Sequence, residues 1–175
     1  MWEIRPARWP QDRARLASLD TGFVTDRIYR VVTADLGFLL REERVDPPLR
    51  KTYDPLTGED LERLPFTLVV EDDNAVVGFA AAGDIEWNGR VHLWHLYVAP
   101  ERRGLGIGRA LVEQALAHAR RLGARALYVE TQNVNYPAIQ FYRRLGFTLA
   151  GLDTSLYDPH GPGAGEVALY LVRDV

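Results

Sequence analysis

Between residues 91 and 109 the chain reads VHLWHLYVAPERRGLGIGR, and no other stretch limits the fold so much. Val91, Leu93, Trp94, Leu96, Tyr97 and Val98 are β-branched, aromatic or large apolar residues, the composition of a strand. Ala99-Pro100 stops that strand, because proline has no N–H to give a ladder. Arg103-Gly104-Leu105-Gly106-Ile107-Gly108 then leads into apolar residues at helical spacing. Glycines before a helix let backbone N–H groups approach a ligand with no Cβ in the way, and the dipole at a helix start favours an anion. Arg102, Arg103 and Arg109 add fixed positive charge. These features predict a phosphate or pyrophosphate site. A Walker loop is excluded by the lack of a Gly-Lys-Ser/Thr ending. A Rossmann fingerprint is excluded because Arg109 stands where the third glycine belongs and no run of βαβ units follows.

The chain has 175 residues, 47% of them hydrophobic, which is the size and composition of one soluble domain spanning 1–175. It has no cysteine, so disulfides, thiolate metal sites and a cysteine nucleophile are excluded. A net charge of −3 gives no general attraction to nucleic acid or to a membrane surface. No apolar run approaches membrane-spanning length and the N-terminus lacks a signal-peptide core, so the expected location is the cytoplasm. His92, His118 and His160 have no spacing that suggests a metal site, and none is expected.

Taken in order, Trp2 to Arg5 predicts a first strand, and Pro10-Gln11-Asp12 opens a helix with Ala14, Leu16, Ala17 and Leu19 on its apolar side. Residues 27–45 predict a hairpin that turns at Ala34-Asp35 and is ended by Asp46-Pro47-Pro48. Residues 51–65, with Asp54-Pro55, Gly58 and Pro65, predict a polar connection. Strands at 66–71 and 75–87 flank an Asp72-Asp73-Asn74 turn, and Asn88-Gly89 pairs the second of them antiparallel with 91–98. Ile107, Leu111, Ala115, Ala119 and Leu122 form one helical stripe that Gly123 stops. A strand at 126–130 completes a right-handed parallel crossover. Asn135 caps a helix that Gly146 ends, and strands at 147–157 and 166–172 are joined by a Pro/Gly-rich loop. The sum is one mixed α/β domain.

RxxGxG after a strand, as Arg103, Gly106 and Gly108 give it, resembles the acyl-CoA loop of the GNAT superfamily of N-acyltransferases. The spacing NxxAxxFYxxxGF, from Asn135 through Ala138, Phe141, Tyr142 and Gly146 to Phe147, resembles the second motif of the same superfamily. The resemblance implies a mixed, mostly antiparallel sheet of about seven strands flanked by helices, with the parallel crossover at the loop. It implies acetyl-CoA as cofactor, held by Leu96, Tyr97 and Val98 of the strand, by Arg102, Arg103, Gly104, Leu105, Gly106, Ile107, Gly108 and Arg109, and by Asn135, Ala138 and Tyr142. Asn135 would contact the pantetheine arm and Tyr142 would act as general acid beside the sulfur. Read without the family, Asn135 is an N-cap and Tyr142 a core aromatic. The superfamily often dimerises, which leaves a homodimer open.

Amine attack on a thioester needs a neutral amine. A lysine-like amine at pKa about 10.4 costs roughly 4–5 kcal/mol to deprotonate at pH 7 unless a base takes the proton. A phenol is also a weaker acid than a thiol, by about 1.5 units, so hydrogen bonding from Tyr142 is as plausible as full proton transfer. The N–H of Val98 would hold the thioester oxygen, as the corresponding strand residue does in the family.

A narrower resemblance covers almost the whole chain. GFLLREERVDPPLRK, WNGR, NVNYPAIQFYRRLGF and GLDTSLYDPHGPGAGEVALY resemble the streptothricin (nourseothricin) acetyltransferases, antibiotic-resistance enzymes that acetylate the β-lysine amine of the drug. This implies a small cationic amine as acceptor, with Asp153, Tyr157 and Glu166 near its charge. Those enzymes carry acidic side chains just before the Val-Ala-Pro, where this chain has Trp94, His95 and Tyr97. His95 is therefore a candidate base, since an imidazole pKa near 6.5 suits the task. Glu86 is a second candidate, with Asp84 beside it; the plainer reading of each is a solvated strand edge. Trp94 is a candidate substrate-stacking surface or simply sheet packing. The alternatives in activity are a peptide or protein N-acetyltransferase and a non-catalytic acyl-CoA-binding module.

Overall fold

The structure, a computed structural model, describes residues 1–57 and 60–175. In chain order its elements are β1 (Glu3–Pro6), α1 (Arg13–Ala17), β2 (Phe23–Ala34), β3 (Gly37–Lys51), α2 (Asp60–Arg63), β4 (Phe66–Asp72), β5 (Ala75–Ile85), β6 (Arg90–Val98), α3 (Ile107–Arg121), β7 (Ala126–Gln132), α4 (Tyr136–Arg144), β8 (Thr148–Asp153) and β9 (Ala168–Asp174). Seven strands pair in the order β1-β4-β5-β6-β7-β9-β8, and β2-β3 form a separate ribbon. The mixed, mainly antiparallel architecture with a parallel β6–α3–β7 crossover is the one the sequence predicts. The chain divides into two compact units. One holds Met1–Gly22, Thr52–Tyr128 and Asp174–Val175, and the other holds Phe23–Lys51 and Val129–Arg173.

In the first unit two tight turns set the register. Asp73 and Asn74 both take positive φ (49° and 64°), as a type I′ hairpin between β4 and β5 demands. Gly89 does the same (φ 73°) between β5 and β6. The α3 stripe is buried as its spacing predicts, with Ile107, Leu111, Ala115 and Ala119 at 1% exposure or less. Gly78 lets the start of α3 close on the sheet, since a Cβ there would lie 3.1 Å from Val70 and 3.3 Å from Ile107. Val70, Phe79, Val91 and Leu116 complete this core.

The first helix departs from expectation. It ends at Ala17, and Asp12 makes no side-chain cap. Its carboxylate instead accepts both Arg5 terminal nitrogens, at 2.7 and 2.9 Å, and the Arg8 N–H at 2.7 Å. Arg5 and Arg15 both reach on to Glu71, joining β1, α1 and β4 in one charged network. Leu16 and Leu19 are buried as predicted. The 51–65 connection contains the short α2, whose Leu61 is buried alongside Leu56; Gly58 lies outside the described residues.

In the second unit the ribbon is longer than the sequence suggests. Asp46-Pro47-Pro48 does not end it, and β3 runs on to Lys51. The reason is in the register: Thr25 pairs with Leu49 and Arg27 with Arg44, so residues 45–48 bulge opposite Asp26 alone. Prolines in a bulge owe no N–H to the ladder. The strands at 147–157 and 166–172 are also displaced. β8 stops at Asp153 and β9 starts at Ala168, which leaves Tyr157 and Glu166 on the connecting loop. The buried Asn133, absent from the sequence reading, clamps this unit. Its amide donates to the Tyr29 carbonyl at 2.7 Å and accepts from the Val167 N–H at 2.8 Å.

Two stability effects follow. Asp12→Ala leaves Arg5 with Glu71 as its one carboxylate among the described residues and the Arg8 N–H without its acceptor, and should lower unfolding free energy by about 2 kcal/mol in denaturant titration. The hydrogen bond from Arg5 holds the Asp12 pKa down from 3.8 to about 2. Folding lowers this pKa, so the contribution is present above the unfolded value and is lost as pH falls from about 4 towards about 2. Thermal melts across that window should show a loss in the wild type that the variant lacks. Asn133→Ala leaves a half-buried carbonyl and N–H without their protein partner and should cost about 1–3 kcal/mol by the same titration.

Candidate active site

β6 is the central element of the site in the first unit. One edge pairs with β5 from Val91 to Val98, whereas the other pairs with β7 only at Arg90, Val91 and His92. From Leu93 onward that second edge has no strand partner among the described residues. The N–H of Ala99 donates to Val77 at 2.9 Å, so by the alternation of an antiparallel ladder Val98 turns its polar groups towards the open edge. Arg103 donates to the Val98 carbonyl at 2.9 Å, and the Val98 N–H points outward along that edge.

After Ala99 a 3-10 turn (Pro100–Arg102) delivers the chain to the glycine loop. Gly104 and Gly106 take φ of 80° and 84°, and a Cβ built on either meets nothing within 4 Å. Gly106 is the N-cap of α3, no side chain caps the helix, and its first turn carries no acid. The loop is therefore an open cradle of backbone N–H groups at the positive end of a 15-residue helix, which fits a pyrophosphate. The three arginines divide their work differently from the sequence reading. Arg102 pairs with Asp72 at 2.9 Å, and Arg103 binds the Val98 and Gly22 carbonyls, bracing the loop. Arg109 is exposed and makes no ion pair among the described residues. Leu105 is 58% exposed at the loop tip, while Ile107 is buried under it.

The register steps from Ala81–His95 to Ala82–Leu93, so Trp94 is the extra residue of a β-bulge. The bulge restores the inward face, with Val91 and Leu93 before it and Leu96 and Val98 after it on the side of α3. His92, His95 and Tyr97 then share the opposite face. The His95 ring lies 6.1 Å from Tyr97 and 6.2 Å from Phe79, and its Nδ1 is buried without a hydrogen-bond partner among the described residues. Burial lowers its pKa, so the ring is neutral at pH 7. Tyr97 also packs beside Tyr53 at 5.9 Å. His92 sits between Trp94 and Tyr128 at 3.9 and 4.3 Å, and burial, then His95 and Arg90, push its pKa down to about 4. Trp94 is half exposed. Glu86 stands at the β5–β6 turn, where the Tyr128 hydroxyl donates to it at 2.7 Å; Asp84 beside it is exposed and accepts from the Ile85 N–H.

In the second unit Asn135 caps α4, accepting from the Ala138 N–H at 3.2 Å. Tyr142 is buried and held by Phe141 and Phe147, each 5.3 Å away. Of the three acceptor-side residues, Tyr157 and Glu166 lie close together across Gly163, whereas Asp153 is engaged elsewhere. Asp153 turns back on Ser155, accepting from its N–H and hydroxyl at 2.7 Å each. Tyr157 donates to Glu130 and Glu166 pairs with Lys51, so the structure adds two residues that the sequence reading did not assign to the site. No pattern of spacing could have found them, because the partners lie 27 and 115 residues apart. Among the described residues no group of acids and histidines is placed to hold a metal, and no helix is long and apolar enough to cross a membrane.

Comparison with known proteins agrees with this geometry. Residues 30–147 match the acetyltransferase (GNAT) family. A streptothricin acetyltransferase from Streptomyces lavendulae is 41% identical over 97% of this chain and 93% of its own. The crystal structure of a nourseothricin acetyltransferase superposes with a TM-score of 0.89 at 43% identity, covering 99% of this chain and 98% of that one. A Bacillus anthracis protein solved in complex with acetyl coenzyme A shares the fold, with a TM-score of 0.82 at 23% identity over all of both chains. An open strand edge, a glycine cradle at a helix start and a match over most of the chain lead to one assignment: this protein belongs to the GNAT family of acetyltransferases.

Proposed function

We propose that the whole chain acts as one acetyltransferase that moves the acetyl group of acetyl-CoA to a primary amine of a streptothricin-type antibiotic, conferring resistance from within the cytoplasm. The open edge of β6 beside the glycine cradle carries this reading, since it offers amide-pairing groups and an anion site in one continuous segment. The similarity to streptothricin and nourseothricin acetyltransferases over nearly the whole chain supports the acceptor.

Acetyl-CoA supplies a thioester, an activated acetyl group with a thiolate leaving group. The backbone of residues 104–108 and the exposed Arg109 would hold its pyrophosphate, and Arg103 fixes the loop by bracing it to Val98 and Gly22. The Val98 N–H stabilises the oxygen on which charge develops. His95, neutral because it is buried, accepts the proton from the amine. Tyr142, oriented by Phe141 and Phe147, would donate a hydrogen bond to the leaving sulfur. Glu86 is committed to Tyr128 and carries no step here.

Thiol release from acetyl-CoA with streptothricin F, a polyamine and an N-terminal peptide as parallel acceptors tests the reading. Saturable turnover with streptothricin F alone is expected; turnover with the peptide alone would replace it with protein acetylation. Tyr142→Phe should reduce kcat about 10- to 100-fold with acetyl-CoA affinity kept, and unchanged turnover would remove its role. His95 has its pKa below the ordinary 6.5, so it stays neutral to lower pH. The acid limb of kcat/KM should accordingly fall below pH 6.5, and His95→Ala should abolish that limb while lowering kcat by about two orders of magnitude.

A further inference from the structure

We propose that Glu130 is the specificity residue that takes the ammonium of the acceptor, with Tyr157 orienting its carboxylate and Lys51 reserving Glu166. This deepens the amine-acetylation reading and rests on it for the identity of the reaction.

Four groups that meet within the second unit carry the argument. Glu130 lies on β7, Lys51 is the last residue of β3, and Tyr157 and Glu166 lie on the loop between β8 and β9. Lys51 and Glu166 form an ion pair whose side chains are 19% and 13% exposed, so the charge of Glu166 is already answered by the protein. Glu130 is different. The Tyr157 hydroxyl donates to it, and it makes no ion pair among the described residues. Two carboxylates and one ammonium leave a net charge of −1, centred on a half-buried acid whose donor, the Tyr157 hydroxyl, is neutral. A half-buried carboxylate in that position gains most from a cation that arrives with the ligand.

The surroundings are shaped for this arrangement. A Cβ on Gly163 would stand 3.2 Å from Tyr157 and 3.7 Å from the Glu166 carboxylate, so the loop keeps that space clear. The Asn133 backbone N–H donates to Val167 at 2.9 Å and its side chain accepts from the Val167 N–H at 2.8 Å, pinning the residue next to Glu166 to the strand that carries Glu130. Burial raises the pKa of Glu130, the Tyr157 hydrogen bond and Lys51 lower it, and Glu166 raises it again. Burial and the Glu130 carboxylate push the Tyr157 hydroxyl far above its ordinary 10, so it remains a donor. Such an acid is stabilised when an ammonium binds. The Lys51 ammonium shows that a lysine-like cation fits against these carboxylates, and by holding Glu166 it leaves charge for one further cation.

The experiment measures KM for streptothricin F and KM for acetyl-CoA separately, and calorimetric binding of streptothricin F to the CoA-loaded protein. For Glu130→Gln the acceptor KM and Kd should rise at least tenfold with the acetyl-CoA KM within twofold. Tyr157→Phe should raise the acceptor KM about three- to fivefold at nearly constant kcat. Lys51→Met frees Glu166 and should improve discrimination for a dicationic over a monocationic amine at least fivefold. Acceptor KM and Kd within twofold of wild type in Glu130→Gln would overturn the proposal, as would unchanged discrimination in Lys51→Met if the first variant fails to fold. Glu130-dependent binding without turnover would leave the proposal standing and remove the reading of the reaction. Turnover that is indifferent to Glu130 would do the reverse. Absence of binding to the wild type would overturn both.

Discussion

The site in this protein depends on β6 being hydrogen-bonded along one edge and, after three residues, open on the other. A strand that is half-buried and unpaired on one side keeps backbone donors and acceptors available at fixed spacing. Nothing on a side chain could supply so regular a row. Every other feature near it serves that edge. The Pro100 turn ends the strand where the open row should end, the glycines deliver the helix start beside it, and Arg103 ties the loop back to the last strand carbonyl. Arginine here works as a brace more than as a charge.

Much of this was legible in the sequence because it depends on local backbone chemistry. Asp73-Asn74 and Gly89 require left-handed φ, and so announce their hairpins from two residues. Gly104 and Gly106 do the same for the loop, and the α3 stripe is a matter of period alone. What could not be read depends on pairing across distance. Pro47-Pro48 looks like a strand end until the register shows a bulge to house it. The role of Trp94 as the bulged residue needs β5 opposite it, since composition makes it one more aromatic in a strand. Asn133, Glu130 and Lys51 are ordinary polar residues in sequence and become a clamp and a charge cluster only when the chain closes on itself.

The electrostatics divide in a consistent way. Where carboxylates hold the frame together, as at Asp12 and Glu71, arginines surround them and lower their pKa values. Where chemistry is expected, the titratable groups are buried away from full compensation: His95 is shifted down and Glu130 up. Each shift disfavours the charged form, which is the usual mark of groups prepared to meet a charge or a proton that the ligand brings.

The bulge at Trp94 has a second consequence. A row of unpaired strand groups is also a template for another chain, and an exposed flat edge invites intermolecular pairing and aggregation. The extra residue breaks the regular spacing of β6 close to where its pairing with β7 stops, and it sets a half-exposed indole at that point. A stray strand would have to match an irregular row and pass a bulky ring, whereas a slender, flexible ligand would not. The irregularity that turns the histidines to one face therefore also makes that edge a poor template for a stray strand.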